Sequence, residues 1–359
     1  MALWSCPGSG KLNPPVDPFD ISTLGAKLSI DVSKIEKHYK TTAMARRGMK
    51  HIFFNNPKGI AADPRLIGDF LRLFPRLKIL DFRDYKPTEQ HLISILRFVP
   101  TMNYLTHLYL GTMPKYNALM QEVLKKCPNL RTLSMPNAGL RLSEYNALWN
   151  QWTNLTCLDL ARCRVDDSII HSIAMNLATL KELDISNPDM RLSNMGIGFL
   201  KNMRYLGKLV MLHFDFTNAN DGFIAELSKD GDKDALIPLK NLDVAGRQMQ
   251  GCEVCRRLGQ SRFQLTDFKI RMGINRTALR YLLKNGKTGY INLHFTYPIR
   301  HSDIDDLWAG LIEVTQKCPG LQSVILTDCR DQKYREECIQ YLQHAVQTGD
   351  HACPLPAPN

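Results

Sequence analysis

The sequence predicts an α/β solenoid, a curved horseshoe with a parallel β-sheet on its concave side and helices on its convex side. Three observations support this prediction. A short apolar pattern recurs eleven times, its period stays between 25 and 31 residues, and apolar residues at helical spacing fill the intervals. Chance does not produce eleven matches at a near-constant period, so we expect about eleven stacked repeats.

The fifth copy shows the pattern of one repeat. Leucines stand at Leu155, Leu158 and Leu160, which is the spacing of a short strand, and Cys163 follows where the chain is expected to turn. Apolar residues then recur at helical spacing from Ile169 to Leu177. A strand, a turn and a helix within about 25 residues are the signature of a leucine-rich repeat.

Each repeat is described by three apolar anchors, which are predicted to point into the core between sheet and helices. The first anchors are separated by 28, 28, 25, 25, 25, 29, 30, 26, 25 and 31 residues. The anchors are Met49/Ile52/Phe54, Leu77/Leu80/Phe82, Leu105/Leu108/Leu110, Leu130/Leu133/Met135, Leu155/Leu158/Leu160, Leu180/Leu183/Ile185, Leu209/Leu212/Phe214, Leu239/Leu242/Val244, Leu265/Phe268/Ile270, Tyr290/Leu293/Phe295 and Leu321/Val324/Leu326.

The segments that flank the repeats predict caps and tails, since a solenoid must cover its terminal apolar layers. Residues 1–18 are rich in Pro, Gly and Ser and are predicted to be a disordered leader, and residues 19–48 to form a helical N-terminal cap. The leucine-rich-repeat domain is assigned to residues 49–328, a helical C-terminal cap to 329–346 and a disordered tail to 347–359.

Composition narrows the class of protein. The chain is 44% hydrophobic and 23% charged, with a formal charge of +11. No apolar run approaches the roughly 18 residues that span a bilayer, and the N-terminus does not resemble a signal peptide. Scattered cysteines predict reduced thiols and a cytoplasmic or nuclear protein. The positive charge favours acidic surfaces, although the sequence has no Lys/Arg block with interleaved aromatics to predict specific nucleic-acid binding.

No motif predicts catalysis, a metal site or a cofactor. Cys252 and Cys255 form a CxxC pair, but a zinc site needs a second pair. Gly-Ser-Gly-Lys at 8–11 and Gly-Lys-Thr at 286–288 resemble fragments of a phosphate loop, although Ser5 and Tyr281 replace its upstream glycine. We therefore expect a non-enzymatic binding protein without a cofactor.

The repeat register predicts which side chains face a partner. Side chains alternate along a strand, so the residue between the second and third anchors should point to the concave surface. These positions make the middle of the sheet acidic, while Arg83, Lys269 and Arg271 lie toward its two ends. The candidate partner-binding residues are Asp159, Glu182, Asp184, His213, Asp215, Asp243, Lys269 and Arg271.

Two interpretations of the acidic row remain open. In the first, Asp is simply a common residue at this strand position. In the second, the row receives a basic segment of a protein partner, because like charges on adjacent strands cost stability and a binding site can retain them. The acidic residues in question are Asp159, Glu182, Asp184, Asp215 and Asp243.

Two stretches within residues 125–275 resemble a known family. They are Leu-Lys-Glu-Leu-Asp-Ile-Ser-Asn at 180–187 and Ile-Pro-Leu-Lys-Asn-Leu-Asp-Val-Ala-Gly-Arg at 237–247, the second with an acidic insert before it. Both are similar to repeat strands of the Zyg/Zer family of cullin-two substrate receptors. F-box proteins carry similar Cys-Pro-x-Leu repeats, but the N-terminus shows no recognisable F-box. The resemblance implies ribonuclease-inhibitor-like repeats and a role in cullin–RING ubiquitin ligases.

A short N-terminal helix of that family binds elongin C through a small residue, a leucine and a Cys or Ser four positions later. Thr23, Leu24 and Leu28 are similar to this motif, with Leu28 where the Cys or Ser should be. The alternative is that these residues only cap the solenoid. The family's C-terminal armadillo-like region has no counterpart here, so recognition of N-terminal degrons is not implied.

These observations predict a non-enzymatic scaffold that is monomeric within a complex and binds a protein substrate on its concave face. The resemblance implies that it recognises substrates for a cullin-type ubiquitin ligase, with elongin C and a cullin, or another ligase adaptor, as further partners. The alternatives are a generic leucine-rich-repeat scaffold without a ligase link and a basic protein that binds nucleic acid.

Overall fold

The structure of the chain is a computed structural model. Its described residues form two compact units, an N-terminal unit within residues 27–188 and a C-terminal unit within residues 192–344. The described residues are 27–31, 33, 49–55, 62–85, 87–111, 117–188, 192–214, 218–228, 237–247, 249–284, 287, 289–296, 304–327, 340 and 344.

Strands and helices alternate in the N-terminal unit. Its strands are parallel, and each pairs with the next strand along the chain. In chain order the elements are β1 (Lys27–Asp31), β2 (His51–Asn55), α1 (Pro64–Arg72), β3 (Ile79–Asp84), α2 (Glu89–Phe98), β4 (His107–Tyr109), α3 (Asn117–Lys126), β5 (Thr132–Ser134), α4 (Leu142–Gln151), β6 (Cys157–Asp159), α5 (Asp167–Asn176) and β7 (Glu182–Asp184).

The C-terminal unit repeats the same arrangement, again with parallel strands paired in chain order. Its elements are α6 (Asn194–Gly198), a 3-10 helix (Phe199–Asn202), β8 (Lys208–Met211), α7 (Phe223–Ser228), β9 (Asn241–Val244), α8 (Gly251–Gln260), β10 (Asp267–Ile270), α9 (Arg276–Leu282), β11 (Asn292–Thr296), α10 (Ile304–Lys317) and β12 (Ser323–Thr327). The predicted α/β leucine-rich-repeat fold with a parallel sheet is therefore confirmed.

The central anchors form one buried row in each unit. In the N-terminal unit Ile52, Leu80, Leu108, Leu133, Leu158 and Leu183 follow one another in strand register, and each is at most 1% exposed. Leu209, Leu242, Phe268, Leu293 and Val324 form the corresponding row of the C-terminal unit. Burying such a side chain stabilises the fold by roughly 1.5–3 kcal/mol, so these rows are a main source of stability.

A left-handed residue follows several strands at the same repeat position. Asn137, Arg162, Asn187 and His213 have φ values of 54–66°, and each stands two residues after a third anchor. This conformation turns the chain away from the strand direction, at a cost of roughly 1–2 kcal/mol for a non-glycine residue. The amide of Arg162 donates to the carbonyl of Ser186 in the next repeat at 2.7 Å, which helps to hold the turn.

Cys163 joins two consecutive turns, as its position in the repeat predicted. Its thiol donates to the carbonyl of Met135 at 3.3 Å and accepts from the amide of Ala138 at 3.3 Å. Burial raises the pKa of this thiol to about 12, so it remains protonated and able to donate. Cys163 is thus a structural residue of the core.

Side-chain caps mark where several helices begin. Asp63, Thr88, Asp166, Ser193 and Asn275 each accept a hydrogen bond from a backbone amide in the first turn of the helix that follows. Such caps contribute about 1 kcal/mol each, because they satisfy amides that have no partner within the helix. The short polar residue ahead of each apolar helix therefore sets the start of that helix.

The predicted helical cap over residues 19–48 is wrong at residues 27–31, which form the edge strand β1. Polar and apolar residues alternate from Lys27 to Asp31, a period of two that favours a strand, and Ile30 is fully buried. The leader at 1–18 and the tail at 347–359 lie outside the described residues. So does the cap predicted at 329–346, apart from Gln340 and His344.

The predicted register of the seventh repeat is also wrong, by three residues. Leu209 pairs with Leu242 and is therefore the central anchor, flanked by the buried Leu206 and Met211. The prediction favoured the more even intervals of 29 and 30 residues, whereas the observed first anchors are separated by 26 and 33. The longer interval contains the acidic insert that precedes residue 237. This insert makes the three-residue shift in register difficult to detect from the sequence.

A buried lysine occupies a position that is apolar in most repeats. Cys127, Trp152 and Leu177 stand three residues before a first anchor and are buried. Lys287 stands at the same position, three residues before Tyr290, and is 5% exposed. Its Nζ donates to the carbonyls of Leu258 and Phe263 at 2.5 and 2.8 Å, and to the hydroxyl of Ser261 at 3.2 Å. Lys287 thus caps the C-terminal end of α8.

Leu158→Ala is expected to lower the free energy of unfolding by about 2–5 kcal/mol, because it leaves a cavity in the central anchor row. Urea denaturation followed by circular dichroism measures this change. Leu142→Ala is the matched control, since Leu142 is 38% exposed at the start of α4, and a loss within about 0.5 kcal/mol is expected. Equal losses in the two variants would contradict the assigned core.

Lys287→Met is expected to change how stability depends on pH. Burial lowers the pKa of Lys287 to about 8, from 10.5 in the unfolded chain. Between these values the unfolded state binds the proton more strongly, so stability should rise with pH through the window in the wild type. Denaturation curves across this window should show that rise diminished in Lys287→Met and retained in the exposed control Lys284→Met. An unchanged pH dependence in Lys287→Met would contradict the assignment.

Candidate functional site

The sheet has a second face, opposite the buried anchors, which we call the polar face. Side chains alternate along a strand, so the residues immediately before and after each central anchor share this face. The first row, before the anchor, contains His107, Thr132, Cys157 and Glu182 in one unit and Lys208, Asn241, Asp267 and Asn292 in the other. The second row contains Asp81, Tyr109, Ser134, Asp159 and Asp184, and then Val210, Asp243, Lys269 and His294.

Aspartates of the second row stabilise the end of their own strand. In Asp81, Asp159 and Asp184, one carboxylate oxygen accepts the backbone amide two residues further along, at 2.8–3.0 Å. Asp and Asn favour such turns because their short side chains reach this amide. The structure therefore gives a physical reason for Asp at this repeat position, which supports the first of the two interpretations for the position itself.

Asp159 has both oxygens engaged. Oδ1 accepts the amide of Ala161 at 2.9 Å, and Oδ2 accepts the hydroxyl of Ser134 on the neighbouring strand at 2.6 Å. Burial raises the pKa of Asp159, while these two hydrogen bonds and the positive charge of Arg83 oppose the rise. The carboxylate is consequently held in a fixed orientation and is partly removed from water.

Three of the predicted residues come together on β6 and β7. Asp159 pairs with Asp184 in register, and Glu182 lies beside Cys157 in the first row of the same two strands. Each of the three acidic residues is half-buried. Neighbouring strands lie about 4.8 Å apart, so the three carboxylates share a small region of the polar face. We call Asp159, Glu182 and Asp184 the acidic cluster.

His213 is not part of the polar face. It was predicted there from the shifted register of the seventh repeat, whereas Val210 occupies that position and pairs with Asp243. His213 is instead an exposed residue of the left-handed turn. The shift also hid Lys208, which the structure places on the polar face. The spacing of Leu206, Leu209 and Met211 was the signal that could have revealed it. Asp215 lies outside the described residues.

Asp243 belongs to a region of mixed charge in the C-terminal unit, so it does not extend an acidic row there. Its Oδ1 lies 3.8 Å from Nε of Arg271. Burial raises the pKa of Asp243, and Arg271, Lys269 and Lys208 oppose the rise. Burial lowers the pKa of His294 on β11, as do the charges of Lys269 and Arg271. The predicted Lys269, Arg271 and Asp243 are therefore neighbours.

Hydrogen bonds also cross the strands of this unit. The hydroxyl of Ser323 donates to Asn292 at 2.7 Å, and the amide of Asn292 donates to Asp267 at 2.5 Å. The hydroxyl of Thr266 donates to the same carboxylate at 2.8 Å. The first row thus carries a polar ladder from β12 to β10, which holds these side chains in place.

Arg83 organises the other end of the N-terminal unit. Its guanidinium forms an ion pair with the buried Asp81, with Nη2 2.8 Å from Oδ2. The same guanidinium lies over the ring of Tyr109, 4.6 Å from the centroid. Asp81 is therefore compensated by the Arg83 guanidinium, which in turn lies over Tyr109, whereas the acidic cluster brings three carboxylates close to one another.

The other two motifs noted in the sequence, the CxxC pair and the Gly-Lys-Thr fragment, are parts of the fold. Cys255 is buried in α8, and burial raises its pKa and that of Cys252. Among the described residues no group of three or more His, Cys, Asp and Glu side chains could hold a metal ion. Lys287 of the Gly-Lys-Thr fragment caps a helix end, so it is not a phosphate-loop lysine. No described helix has the length and apolar character needed to cross a membrane.

The adaptor motif is not helical where the structure describes it. Leu28 lies within the edge strand β1, whereas the motif requires a helix. Thr23 and Leu24 lie outside the described residues. Residues four positions apart are separated by about 13 Å in a strand, whereas they are neighbours on one side of a helix.

Comparisons with known proteins find structural likeness at low identity. The leucine-rich repeat-containing protein LegL7 from Legionella pneumophila is 12% identical, with a TM-score of 0.49, over 92% of this chain and 100% of that one. The TLR13–ssRNA13 complex is 15% identical, with a TM-score of 0.43, over 84% of this chain and 43% of that one. The yeast Rad7–Elc1 complex is 12% identical, with a TM-score of 0.40, over 77% of this chain and 85% of that one.

No protein-family profile matches the sequence. No curated protein matches it either. The assignment of the fold accordingly depends on features of this chain: the strand register, the buried anchor rows and the recurring left-handed turns. By these features the chain has the α/β leucine-rich-repeat fold.

Proposed function

We propose that the chain is a non-enzymatic protein-interaction scaffold, and that its N-terminal unit binds a basic segment of a protein partner at the acidic cluster. One observation carries the proposal: Asp159, Glu182 and Asp184 lie on two adjacent strands of the same sheet face. Like charges on adjacent strands destabilise a sheet, so a partner that supplies cations would relieve a cost that the free protein bears.

The turn-stabilising role of aspartate does not account for the whole cluster. Asp159 and Asp184 each use one oxygen to accept a turn amide. Glu182 lies in the first row, outside the position that stabilises the turn. A carboxylate at that position adds negative charge beside Asp184, which strengthens the attraction of the cluster for a basic side chain.

Partial burial suits the cluster to lysine or arginine side chains. Burial raises the pKa of Asp159, which means that its surroundings solvate the negative charge less well than water does. A guanidinium can donate two parallel hydrogen bonds to such a carboxylate, and charge-assisted hydrogen bonds are about twice as strong as neutral ones. The proposed ligand is therefore a segment with an arginine or a lysine at its centre.

Neutralising the cluster is expected to abolish partner capture without unfolding the protein. The triple variant Asp159→Asn, Glu182→Gln and Asp184→Asn preserves side-chain shape and the oxygen that accepts each turn amide. We expect at least a tenfold loss of the partners retained by the wild type, because several buried charge contacts each contribute about 1.5–3 kcal/mol. Affinity capture with quantitative mass spectrometry measures this loss.

The matched control changes three carboxylates on helices of the same unit, namely Asp69→Asn, Glu122→Gln and Asp167→Asn. It removes the same charge and should retain partners at the wild-type level. Denaturation curves of both triple variants establish that they are folded. Equal partner recovery in the wild type and the cluster variant would reject the acidic cluster as the binding site.

We further propose that the scaffold recognises substrates for a cullin-type ubiquitin ligase. The support is the resemblance of residues 125–275 to the repeats of cullin–RING substrate receptors. The motif at Thr23, Leu24 and Leu28 does not add to that support, because Leu28 lies in a strand. An adaptor would therefore contact a surface other than a helix containing Leu28.

Capture from cells distinguishes this setting from a generic scaffold. We expect a cullin and its adaptor in the captured material, and we expect both to persist in the acidic-cluster variant, which affects only the substrate side. Elongin C would indicate a cullin-two assembly, and a Skp-type adaptor would indicate an F-box-like one. Partners without any ligase component would reject the ligase proposal and leave the scaffold proposal standing.

A further inference from the structure

The positive charge of the chain is concentrated in one stretch. Residues 247–287 contain ten Lys and Arg residues and only two acidic residues, a net charge of +8 out of the chain's +11. A strand–turn–helix repeat does not need this charge, since its core is built from apolar anchors. The charge of this stretch is opposite in sign to that of the acidic cluster, and the stretch lies in the other unit. It therefore points to a second kind of partner.

The structure places four of these ten cations on two neighbouring helices, α8 and α9. Residues four apart share one side of a helix, which aligns Arg276 and Arg280 on α9. Arg256 and Arg257 are consecutive on α8 and share the carboxylate of Glu253. The exposed Arg262 and Lys284 follow the ends of these helices. We call Arg256, Arg257, Arg262, Arg276, Arg280 and Lys284 the arginine surface.

Carboxylates hold the guanidinium groups of α9 in place. Glu313 of α10 accepts from Nη2 of Arg276 at 2.6 Å and from Nη2 of Arg280 at 2.7 Å. The hydrogen bond from Arg280, followed by that from Arg276, lowers the pKa of Glu313 to about 2, so it remains charged. One carboxylate therefore orients two guanidinium groups, and the pair retains a net positive charge.

A similar arrangement exists on α8. Glu253 accepts from both Arg256 and Arg257, and Nε of Arg257 also lies 2.9 Å from Asp221. Across the arginine surface six cations therefore face three orienting carboxylates, Asp221, Glu253 and Glu313. Side chains already fixed in this way lose less conformational freedom when an anion binds.

An aromatic ring lies among the cations. Tyr281 on α9 is half-buried, and Nζ of Lys284 is 5.5 Å from its ring centroid. Its backbone packs closely against Gly259 of α8, so Tyr281 lies where the two helices meet. A basic surface with an aromatic side chain is the combination that binds single-stranded nucleic acid, since phosphates meet the cations and a base stacks on the ring.

We propose that the arginine surface binds single-stranded nucleic acid, with phosphates on the arginines and a base on Tyr281. Arginine favours this ligand because its planar group can donate two parallel hydrogen bonds to a phosphate. A membrane is a poorer fit, because none of the strongly exposed large apolar residues of the described chain lies on α8 or α9. The sequence conceals the site, because its cations come from two helices and the turns after them.

Fluorescence anisotropy of the full chain with labelled 16-nucleotide oligo(dT) and oligo(U) tests the proposal. We expect binding that weakens steeply with salt, as the release of counterions requires. Arg262→Glu with Lys284→Glu should weaken binding at least tenfold and reduce the salt slope by about 1–2. Tyr281→Leu should weaken oligonucleotide binding about tenfold while leaving heparin binding unchanged, because only a nucleic acid supplies a base to stack.

The matched control is Arg97→Glu with Lys125→Glu, which makes the same charge change on exposed helical positions of the N-terminal unit. It should bind the oligonucleotides within about twofold of the wild type. Thermal melting shows that each variant is folded. Three results would each overturn the proposal. The first is no oligonucleotide binding, and the second is an equal loss of binding in the arginine-surface and control variants. The third is an equal effect of Tyr281→Leu on heparin binding and on oligonucleotide binding. Tighter binding to phosphatidylserine vesicles or to an acidic phosphopeptide than to either oligonucleotide would also overturn it.

Discussion

The in-register burial of one side chain per strand is the interaction on which the other features of this protein depend. Leu133, Leu158 and Leu183 follow one another in the core, and each fixes the positions immediately before and after it on the opposite sheet face. A displacement of one residue would exchange the two faces of a strand, exposing an anchor and burying a charge. The chemistry of the polar face is therefore determined by apolar residues that no partner touches.

That coupling explains why aspartate has two possible roles in the second row. Its position places the carboxylate next to the turn amide, so Asp81, Asp159 and Asp184 stabilise strand ends whether or not a ligand binds. A ligand can then use only the remaining lone pairs of these carboxylates or a neighbour such as Glu182. Arg83 is the counterion of Asp81, and its positive charge also opposes the rise in the pKa of Asp159.

The fold could be predicted from the sequence because its signal repeats, and the errors occur where the repetition is weak. In the seventh repeat two sets of apolar residues fitted the anchor spacing, and only strand pairing shows that Leu209, not Leu212, is central. Lys287 occupies an apolar position whose acceptors come from an earlier helix, which linear spacing does not reveal. The acidic cluster depended on register and was predictable, whereas the arginine surface required two helices to be placed side by side.

The in-register rows also limit how far a linear ligand can follow the polar face. Strands are spaced about 4.8 Å apart, whereas an extended peptide presents side chains on one side about every 6.6–6.8 Å. A ligand segment that crosses the strands therefore falls out of step with the rows within about two strands. Recognition of such a segment must be confined to short patches, which is the width of the two-strand cluster of Asp159, Glu182 and Asp184. Longer partners would have to bind through a folded surface, because the side chains of a folded surface are not evenly spaced as they are along an extended peptide.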